Sequence, residues 1–340
     1  MLLTGHTGFK GSWLSLWLQS MGALPVGLSP GRPGSPSLYA LAGVGAHMQE
    51  VAVDVRDAAA VRRAVVAAEP EVLFHLAAQP MVRRSLREPV RTFEVNVMGT
   101  VNVLEAARAA PGLRAIVAVT SDKCYENSGG GSRRFREEDP LGGSDPYSSS
   151  KACAELVCAA YRRSFLGSAA APRLATARAG NVIGGGDRGQ DRLMADVVRA
   201  VESGAPLVVR NPGAVRPWQH VLSPLAGYLR LAQALCGETD AAARAWNFGP
   251  GPGDEQTVAW ILQRLATMWG ERLRWEVDGG ENPPEAAYLG IDSAAAEGAL
   301  GWRPVCDLEG ALGLLVDWQD AHMRGEDMRS VSLSQIAEVS

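Results

Sequence analysis

An alternation of short apolar segments with helical segments runs through the first half of the chain and constrains the fold more than any other feature. The apolar segments that we interpret as strands are 1–4, 24–28, 51–55, 72–76, 115–120 and 174–179. The segments with helical spacing are 12–21, 61–68, 90–109 and 147–164. Strands that alternate with helices in short steps form a parallel sheet covered on both faces. We therefore predict an α/β fold, with a doubly wound, Rossmann-like parallel sheet and a smaller C-terminal lobe.

The chain length of 340 residues suffices for one large α/β domain and a smaller lobe. We predict that residues 1–180, with a return segment at about 217–250, form a Rossmann domain that binds a dinucleotide. Residues 181–216 and 251–340 are then expected to form the smaller domain. The Gly/Ser run at 128–132 predicts a mobile loop.

Composition excludes several classes of protein. The 33 Lys and Arg residues against 37 Asp and Glu give a net charge of −4, so no nucleic-acid partner held by bulk charge is expected. Five cysteines, widely spaced and without a CxxC pair, predict free thiols in a reducing cytoplasm rather than a disulfide framework or a metal site. Neither a leader peptide nor a membrane-spanning helix is expected.

A glycine-rich turn follows the first apolar segment. Gly5, Gly8 and Gly11 have the spacing that permits a tight turn, close approach of the backbone to a pyrophosphate, and close packing of helix and strand. The N–H groups and the dipole of the helix that follows would favour an anion. The spacing alone is a weak signal, and a tight turn without a ligand is the alternative interpretation.

The residues after the second and third strands leave the dinucleotide open. Ser29 stands where an acid would bind a ribose 2′-OH, and Arg32 could instead accommodate a 2′-phosphate. The residues alone therefore do not decide between NAD and NADP. Asp54 could accept a hydrogen bond from an adenine amino group, or it could cap the helix that begins near Arg56.

Tyr147 and Lys151 are four residues apart, so on a helix they share one face. A neighbouring positive charge would lower the pKa of the tyrosine from about 10 toward neutrality. Such a tyrosine could accept a proton from a sugar hydroxyl while hydride leaves the same carbon. The alternative is a Tyr and a Lys that are merely neighbours on the surface, since this spacing often occurs by chance.

Ser121, Asp122 and Lys123 directly follow the fifth apolar segment. Hydride transfer needs one acid/base group and an orienting hydroxyl, whereas this cluster adds a carboxyl group and an amine. An acid and a base side by side suit an elimination, in which one group removes a proton and the other protonates a departing hydroxyl. The alternative is a polar end to the strand, with Lys123 in solvent.

Seven ordered motifs resemble the CDP-glucose 4,6-dehydratases, which are extended short-chain dehydrogenase/reductases of the NAD-dependent epimerase/dehydratase family. The motifs lie at 4–13, 75–80, 96–100, 120–125, 145–151, 177–187 and 216–221. The resemblance extends from residue 1 to about residue 318. Lys123 is distinctive, because the related dTDP-glucose dehydratases usually carry Glu at that position.

The resemblance implies conversion of CDP-glucose to CDP-4-keto-6-deoxyglucose and water, with NAD regenerated in each cycle. Tyr147 would take the proton of the 4-hydroxyl as hydride passes to NAD, and Lys151 would hold the nicotinamide ribose. Ser121 would hydrogen-bond the 4-hydroxyl. Lys123 would assist removal of the C5 proton, and Asp122 would protonate the departing C6 hydroxyl.

The resemblance also implies the residues that bind the ligands. The expected cofactor contacts are Gly5, Thr7, Gly8, Phe9, Lys10, Asp54, Val55, Leu76, Ala77, Ala78, Gln79, Asn96, Tyr147 and Lys151. The expected substrate contacts are Gln79, Ser121, Asn181, Arg192 and Arg216, with Arg216 chosen for the diphosphate because a guanidinium can bind it bidentately. For Arg216 a structural ion pair is the alternative.

Two other functions stay open on the sequence. One is a 4-epimerase or reductase on the same scaffold, which the acid–base pair at positions 122 and 123 disfavours. The other is a catalytically silent nucleotide-binding regulator, which the intact catalytic residues disfavour. The helical segments 90–109 and 147–164 predict pairing across a two-fold axis, and hence a homodimer or a dimer of dimers.

Overall fold

The structure is a computed structural model, and it describes residues 1–34, 36–127, 133–168, 171–237, 239–280 and 288–339. The loop predicted at 128–132 lies outside the described residues. The strands are β1 (Leu2–Thr4), β2 (Val26–Ser29), β3 (Gln49–Ala52), β4 (Val72–His75), β5 (Ala115–Val119), β6 (Arg173–Ala179), β7 (Val182–Ile183), β8 (Leu207–Val209), β9 (Val215–Pro217), β10 (Gln219–His220), β11 (Ala245–Phe248), β12 (Glu255–Thr257) and β13 (Trp275–Val277). The α-helices are α1 (Phe9–Ser20), α2 (Leu38–Leu41), α3 (Ala58–Ala68), α4 (Val82–Arg87), α5 (Pro89–Phe93), α6 (Gly99–Arg108), α7 (Pro146–Ser164), α8 (Leu193–Ser203), α9 (Leu222–Leu235), α10 (Val258–Trp269), α11 (Ala294–Leu300), α12 (Leu308–Met323) and α13 (Met328–Val339).

The central sheet has seven parallel strands in the order β11-β6-β5-β4-β1-β2-β3. The predicted Rossmann-like parallel sheet is therefore confirmed. The direction of winding reverses between β1 and β4, since β2 and β3 lie on one side and β5 and β6 on the other. In open α/β sheets this reversal creates a crevice at the carboxyl ends of the strands, where ligands bind.

The sheet is buried between helices on both faces. All four residues of β4 are buried, which explains why this strand is a continuous apolar run up to His75. Helix α1 is buried from Gly11 to Leu18, and it packs in one core with α9 and α13. Helices α3 and α6 pack against each other in the core of the opposite face.

A second core surrounds the small sheets of the C-terminal half. Helices α8, α10 and α12 enclose it with residues such as Val197, Leu262 and Leu312. Trp318 and Ile336, further along the chain, pack instead in the core of α1. The assignment of residues 181–216 and 251–340 to a separate domain stays a prediction. Nowhere in the described ranges is a helix both long and apolar enough to cross a membrane.

Three differences between the predicted elements and the structure bear on the candidate site. Helix α1 begins at Phe9, directly after the glycine-rich turn, rather than at residue 12. Strand β3 covers 49–52 rather than 51–55, so Asp54 lies in the turn that follows it. The single helix predicted over 90–109 is interrupted by a π-helical turn at Glu94–Met98, where Asn96 is buried. Such turns often occur at functional sites.

Candidate active site

The glycine-rich turn joins β1 to α1 at the carboxyl edge of the sheet. Gly5 has a φ of 74°, and a Cβ there would lie 2.7 Å from the backbone nitrogen of Ala77. A Cβ on Gly11 would overlap the carbonyl oxygen of Gly5. Gly8 is the N-cap residue of α1, and no described side chain caps that terminus. Backbone N–H groups at the positive end of α1 are therefore left for an anion.

Glu50 is a carboxylate in β3, the strand next to β2, and lies opposite Gly27. Its carboxylate accepts hydrogen bonds from Arg32 at 2.7 Å and from the Tyr39 hydroxyl at 2.5 Å, and it lies 2.9 Å from His6 Nε2. Burial raises the pKa of Glu50, but the hydrogen bonds from Tyr39, His6 and Arg32 outweigh burial and lower it. The guanidinium considered for a 2′-phosphate is thus already paired with a carboxylate.

Asp54 is bound by the side chain that follows it in the turn after β3. Its carboxylate accepts hydrogen bonds from the backbone nitrogen of Arg56 at 3.0 Å and from Arg56 Nη2 at 2.8 Å. These hydrogen bonds lower the pKa of Asp54. Asp57 caps α3 instead, since it accepts a hydrogen bond from the backbone nitrogen of Ala60 at 2.9 Å. The interpretation of Asp54 as the helix cap is wrong.

Gln79 and Asn96 hold the loop after β4 against α7. Asn96 Oδ1 accepts from the Gln79 backbone nitrogen at 2.8 Å, and Asn96 Nδ2 donates to the Gln79 carbonyl at 3.1 Å and to Ser150 Oγ at 2.8 Å. Gln79 Nε2 donates to the Met81 carbonyl at 3.1 Å and to Thr92 Oγ1 at 3.0 Å. The side-chain N–H groups of Gln79 are thus bonded to the loop and to α5, and Gln79 as a contact of cofactor and substrate stays a prediction.

Other predicted cofactor residues lie along the same edge. Leu76 and Ala77 donate their backbone N–H groups to the carbonyl and the hydroxyl of Thr4 at 3.1 and 3.2 Å, which holds the end of β4 beside β1. Thr7 Oγ1 lies 2.8 Å from Ser29 Oγ at the end of β2. The remaining predicted contacts, which open α1 or follow β3 and β4, are Phe9, Lys10, Val55 and Ala78.

Tyr147 and Lys151 lie in the first two turns of α7, and both are buried. Lys151 Nζ donates to the Val119 carbonyl at 3.3 Å. Burial lowers the pKa of Lys151 to about 8, against the charge of Glu155, which raises it. Burial raises the pKa of Tyr147 to about 12, and a hydrogen bond with Ser121 opposes this rise. The predicted fall in the tyrosine pKa is therefore wrong for the polypeptide by itself, because burial dominates.

The Ser121–Lys123 cluster forms the turn after β5. Ser121 Oγ caps the turn at the Lys123 backbone nitrogen at 3.2 Å and donates to Asp122 Oδ1 at 3.0 Å. Asp122 is 2% exposed, and its Oδ2 has no hydrogen-bond partner among the described residues. Burial raises the pKa of Asp122, although the charges of Lys123, Lys10 and Arg216 oppose the rise. The carboxyl group is thus biased toward its protonated, proton-donating form.

Three of the five predicted substrate residues come from the segments after β6. Asn181 joins β6 to β7 and is half-buried. Arg216 in β9 is buried, and its Nη1 donates to the carbonyl of Val215 at 2.8 Å. Arg192 Nη1 donates to both carboxylate oxygens of Asp187 at 3.0 Å. Arg192 and Arg216 nevertheless act electrostatically on the catalytic groups, Arg192 on Tyr147 and Arg216 on Asp122.

Sequence reasoning missed a buried ion pair behind the catalytic residues. Glu155 in α7 accepts hydrogen bonds from Thr120 Oγ1 at 2.5 Å, Thr176 Oγ1 at 2.7 Å and Arg178 Nη2 at 2.9 Å. Because Thr120 directly precedes Ser121, its hydrogen bond to Glu155 connects the turn after β5 with α7. Two signals could have found it: Glu155 lies four residues after Lys151, and Arg178 is a charge within an apolar strand.

Within the described ranges, no three His, Cys, Asp or Glu side chains lie close enough together to hold a metal ion.

The sequence of residues 1–244 matches the family described as NAD dependent epimerase/dehydratase. The chain belongs to this family. The match covers six of the seven strands of the central sheet, from β1 to β6, and the predicted catalytic residues from Ser121 to Lys151.

The chain is 45% identical to a CDP-glucose 4,6-dehydratase of Salmonella typhimurium, over 99% of this chain and 95% of that protein. It is 28% identical to a dTDP-glucose 4,6-dehydratase of Xanthomonas campestris, over 93% and 92%. A solved dTDP-glucose 4,6-dehydratase of Streptomyces venezuelae with NAD bound superposes with a TM-score of 0.77 at 25% identity, over 96% of this chain and 99% of that one. A UDP-glucose 4-epimerase of Thermotoga maritima has the same fold, with a TM-score of 0.81 at 21% identity over 95% and 99%.

Proposed function

We propose that this protein is an NAD-dependent CDP-glucose 4,6-dehydratase, which converts CDP-glucose to CDP-4-keto-6-deoxyglucose and water. The observation that carries the proposal is Asp122, a buried carboxyl group with one unpartnered oxygen, adjacent to Lys123 and near the Tyr147–Lys151 pair. A buried acid that retains its proton suits protonation of a leaving hydroxyl, which an epimerase does not need. The 45% identity to a CDP-glucose 4,6-dehydratase supports the same activity.

The residues at the sheet edge fit NAD. The uncapped N-terminus of α1, with Gly5 and Gly8 before it, leaves space and N–H donors for a pyrophosphate. Glu50 holds Arg32 at 2.7 Å, and a carboxylate there disfavours the additional phosphate of NADP. Gly5, Thr7, Gly8, Asp54 and the backbone after β4 would hold the cofactor. When bound, NAD would accept hydride from C4, return it to C6, and through its positive charge lower the pKa of Tyr147.

The first step of the reaction assigns Tyr147 as the base. Its phenolate would take the proton of the 4-hydroxyl while Ser121 hydrogen-bonds the same oxygen. Burial alone raises the pKa of Tyr147 to about 12, so the base depends on positive charge that Lys151 and the cofactor bring. Lys151 would also hold the nicotinamide ribose. The resulting ketone at C4 acidifies the C5 proton.

In the elimination, the acid and the base would both come from the turn after β5. Lys123 would remove the C5 proton, and Asp122 would donate its proton to the C6 hydroxyl, which leaves as water. Burial raises the pKa of Asp122, which favours its protonated form relative to an exposed aspartate. Arg216 would bind the diphosphate, with Arg192 and Asn181 nearby in the smaller domain of residues 181–216 and 251–340.

Product analysis tests this function directly. The protein is incubated with CDP-, dTDP-, GDP- and UDP-glucose, with NAD and NADP in separate reactions, and the products are analysed by mass spectrometry. We expect a loss of one water from CDP-glucose in the presence of NAD. Formation of CDP-galactose would instead establish a 4-epimerase, and tight NAD binding without turnover of any substrate would establish a silent binding protein.

We also propose a homodimer, or a dimer of dimers, that works in the cytoplasm. Helix α5, the π-helical turn Glu94–Met98 and helix α7 pack against one another and expose apolar side chains, with Val90 at 71%, Met98 at 51% and Leu156 at 58% exposure. The five cysteines are free, as expected in a reducing compartment. We expect Val90→Glu combined with Leu156→Glu to halve the mass in sedimentation. A wild-type monomer at micromolar concentration would contradict the proposal.

A further inference from the structure

A cavity of about 530 Å³ lies beside the loop that leads from the turn after β5 to α7. Its walls come from residues 133–136 of that loop, from β12 and the residues before it, and from the segment at 288–292. None of the described residues that line the cavity has a role in the proposed function. A volume of this size is typical of ligand sites, so the cavity has room for part of a nucleotide sugar.

One wall of the cavity is fixed to the turn after β5. The ring of Phe135, next to Arg134, stacks on the ring of Tyr125, with ring centres 4.9 Å apart and planes 7° apart. Tyr125 directly follows the turn, and its hydroxyl donates to Asn247 Oδ1 at 2.7 Å. Asn247 Nδ2 in turn donates to the carbonyl of Phe135 at 3.0 Å. The loop that carries Arg134 is therefore held against the segment that carries the assigned acid.

The opposite wall of the cavity also approaches the assigned acid. Glu255 in β12 lies opposite Pro217 in β9, the strand that contains Arg216, to which the diphosphate is assigned. A Cβ on Gly180 would lie 2.6 Å from Pro217 Cγ and 2.9 Å from Asp122 Oδ2, so Pro217 and Asp122 flank the same glycine. A sugar nucleotide whose C6 hydroxyl lies at Asp122 could therefore extend along β9 toward the cavity.

Two polar atoms of the cavity lining, a donor and an acceptor, have no hydrogen-bond partner among the described residues. They are Arg134 Nη2 and Glu255 Oε1. The two side chains are neighbours, because Arg134 Nε forms an ion pair with Glu255 Oε1 at 2.8 Å, and they are only 23% and 12% exposed. The Tyr288 hydroxyl donates to Glu255 Oε2 at 2.7 Å, which fixes the carboxylate. Unpartnered buried polar atoms are unfavourable for folding, so we expect a ligand to satisfy them.

The other two arginines of the lining are paired in a different way. Arg133 lies 2.7 Å from Asp139 and Arg136 lies 3.1 Å from Asp292, and the two arginine side chains are 68% and 70% exposed. Together with the Arg134–Glu255 pair, three guanidinium groups are neutralised by three carboxylates. This balance of charge favours a neutral polar ring over a phosphate group, which would need an unneutralised cation.

We propose that this cavity binds the cytosine ring of CDP-glucose and that Arg134 and Glu255 select the base. Arg134 Nη2 donates to N3 and O2 of the ring, and Glu255 Oε1 accepts from the 4-amino group. Uracil and thymine carry N3–H and a carbonyl at C4 instead, so donor would meet donor and acceptor would meet acceptor. The inference rests on the proposed function and extends it from the sugar to the base.

Nucleotide binding tests the assignment. The dissociation constants of CDP, UDP and GDP are measured by isothermal titration calorimetry with saturating NAD, for the wild type and for Glu255→Gln. We expect the wild type to bind CDP about 10- to 100-fold more tightly than UDP, which is the discrimination of one good pair of contacts to a base. Glu255→Gln presents an amide and should bring the two constants to within about threefold, mainly by weakening CDP. Only folded molecules bind, so a loss of stability does not change this ratio.

Three further variants separate base recognition from charge. Arg134→Met removes the donor and should reduce the preference for CDP over UDP as Glu255→Gln does. Tyr288→Phe keeps the aromatic ring but no longer fixes Glu255, and it should show a smaller change in the same direction. Arg133→Met is the matched control, since it removes the adjacent guanidinium, which is mainly exposed and paired elsewhere. This control should leave the ratio of the two dissociation constants unchanged.

Three results would overturn the inference. The first is a wild type that binds UDP or GDP as tightly as CDP. The second is an equal weakening of CDP and UDP by Glu255→Gln and Arg134→Met, which would assign the cavity to the phosphates or to the fold. The third is a control that changes the ratio as much as Arg134→Met does.

The proposed function can fail separately from this assignment. A protein that dehydrates CDP-glucose but binds the three nucleotides equally would refute the cytosine site alone. A protein that prefers CDP through Arg134 and Glu255 but removes no water from CDP-glucose would refute the dehydratase activity and leave the cytosine site standing.

Discussion

Two buried carboxyl groups lie close together in this molecule and differ in how they are satisfied. Glu155 and Asp122 are each 2% exposed. Glu155 accepts two hydroxyl hydrogen bonds and a guanidinium, whereas Asp122 accepts one hydroxyl at Oδ1 and leaves Oδ2 without a partner among the described residues. Burial acts on both, but Arg178 outweighs it at Glu155 and lowers that pKa, while burial prevails at Asp122 and raises its pKa.

The difference separates a structural cluster from a catalytic one. A fully satisfied buried network rigidifies the elements that it joins, and Glu155 joins α7 to β6 and to the turn that carries Ser121. A buried polar atom without a partner costs folding free energy, so it persists where function requires it. The Glu155–Arg178 ion pair thus holds the turn to which we assign the catalytic acid, and Oδ2 of Asp122 in that turn has no partner among the described residues.

The largest effect is expected from Asp122→Asn. The amide cannot donate the proton that the C6 hydroxyl needs, so elimination should slow by about 10²- to 10⁴-fold. The fold should be retained, because the amide has nearly the same shape as the carboxyl group and brings no charge into the buried site. Product formation from CDP-glucose and the Tm are the measurements. If Asp122→Asn eliminated at a rate within about threefold of the wild type, Asp122 would not be the catalytic acid, the role that distinguishes it from Glu155.

Glu155→Ala should mainly reduce stability. It leaves the Arg178 guanidinium, which is 3% exposed, without its carboxylate. Loss of one partner of a buried pair costs about 3–5 kcal/mol in the free energy of unfolding, measured with urea. Glu326→Ala is the matched control, because its partner Arg324 is 62% exposed and a surface pair contributes at most about 1 kcal/mol. Equal effects of the two substitutions would show that Glu155 is not structural.

Thr176→Val should have a smaller effect of the same kind. It removes the hydroxyl that donates to Glu155 at 2.7 Å and retains the shape of the side chain. Loss of one hydrogen bond to a buried charge costs about 1–3 kcal/mol. Urea unfolding measures the change, and the rate of elimination at saturating substrate should stay within about twofold of the wild type. A large loss of rate with little loss of stability would place Thr176 in the catalytic cluster instead.

The smallest effect is a difference in pH dependence. The raised pKa of Asp122, above its ordinary 3.8, means that its contribution to stability is full at lower pH and lost as pH rises through the folded-state value. The lowered pKa of Glu155, below its ordinary 4.5, means that its contribution is present above that pH and lost as pH falls through the folded-state value. Between about pH 4 and pH 8, the Tm of Asp122→Asn should therefore rise relative to the wild type. Glu155→Gln should cost most above about pH 4.5. Parallel Tm curves for the two variants would contradict the opposite signs.

The spacing of residues along the chain determined the order of the elements and the main motifs of the candidate site. The order of strands and helices, the glycine turn at Gly5, the Tyr147–Lys151 pair and the Asp122–Lys123 pair are all readable within a few residues of chain, because helix and strand periods place such neighbours together. The parallel sheet that this pattern predicts is confirmed. The glycine turn follows β1, the Asp122–Lys123 pair follows β5, and the Tyr147–Lys151 pair lies in α7.

Only the tertiary structure decided which of these groups are charged, paired or free. Lys10 donates a hydrogen bond to Tyr228, which lies 218 positions away in the sequence, and Arg32 donates one to Glu50 in β3. The pKa of Tyr147 rises where spacing alone predicted a fall. Desolvation and pairing depend on every element that surrounds a side chain, whereas a sequence pattern reports only the neighbours along the chain.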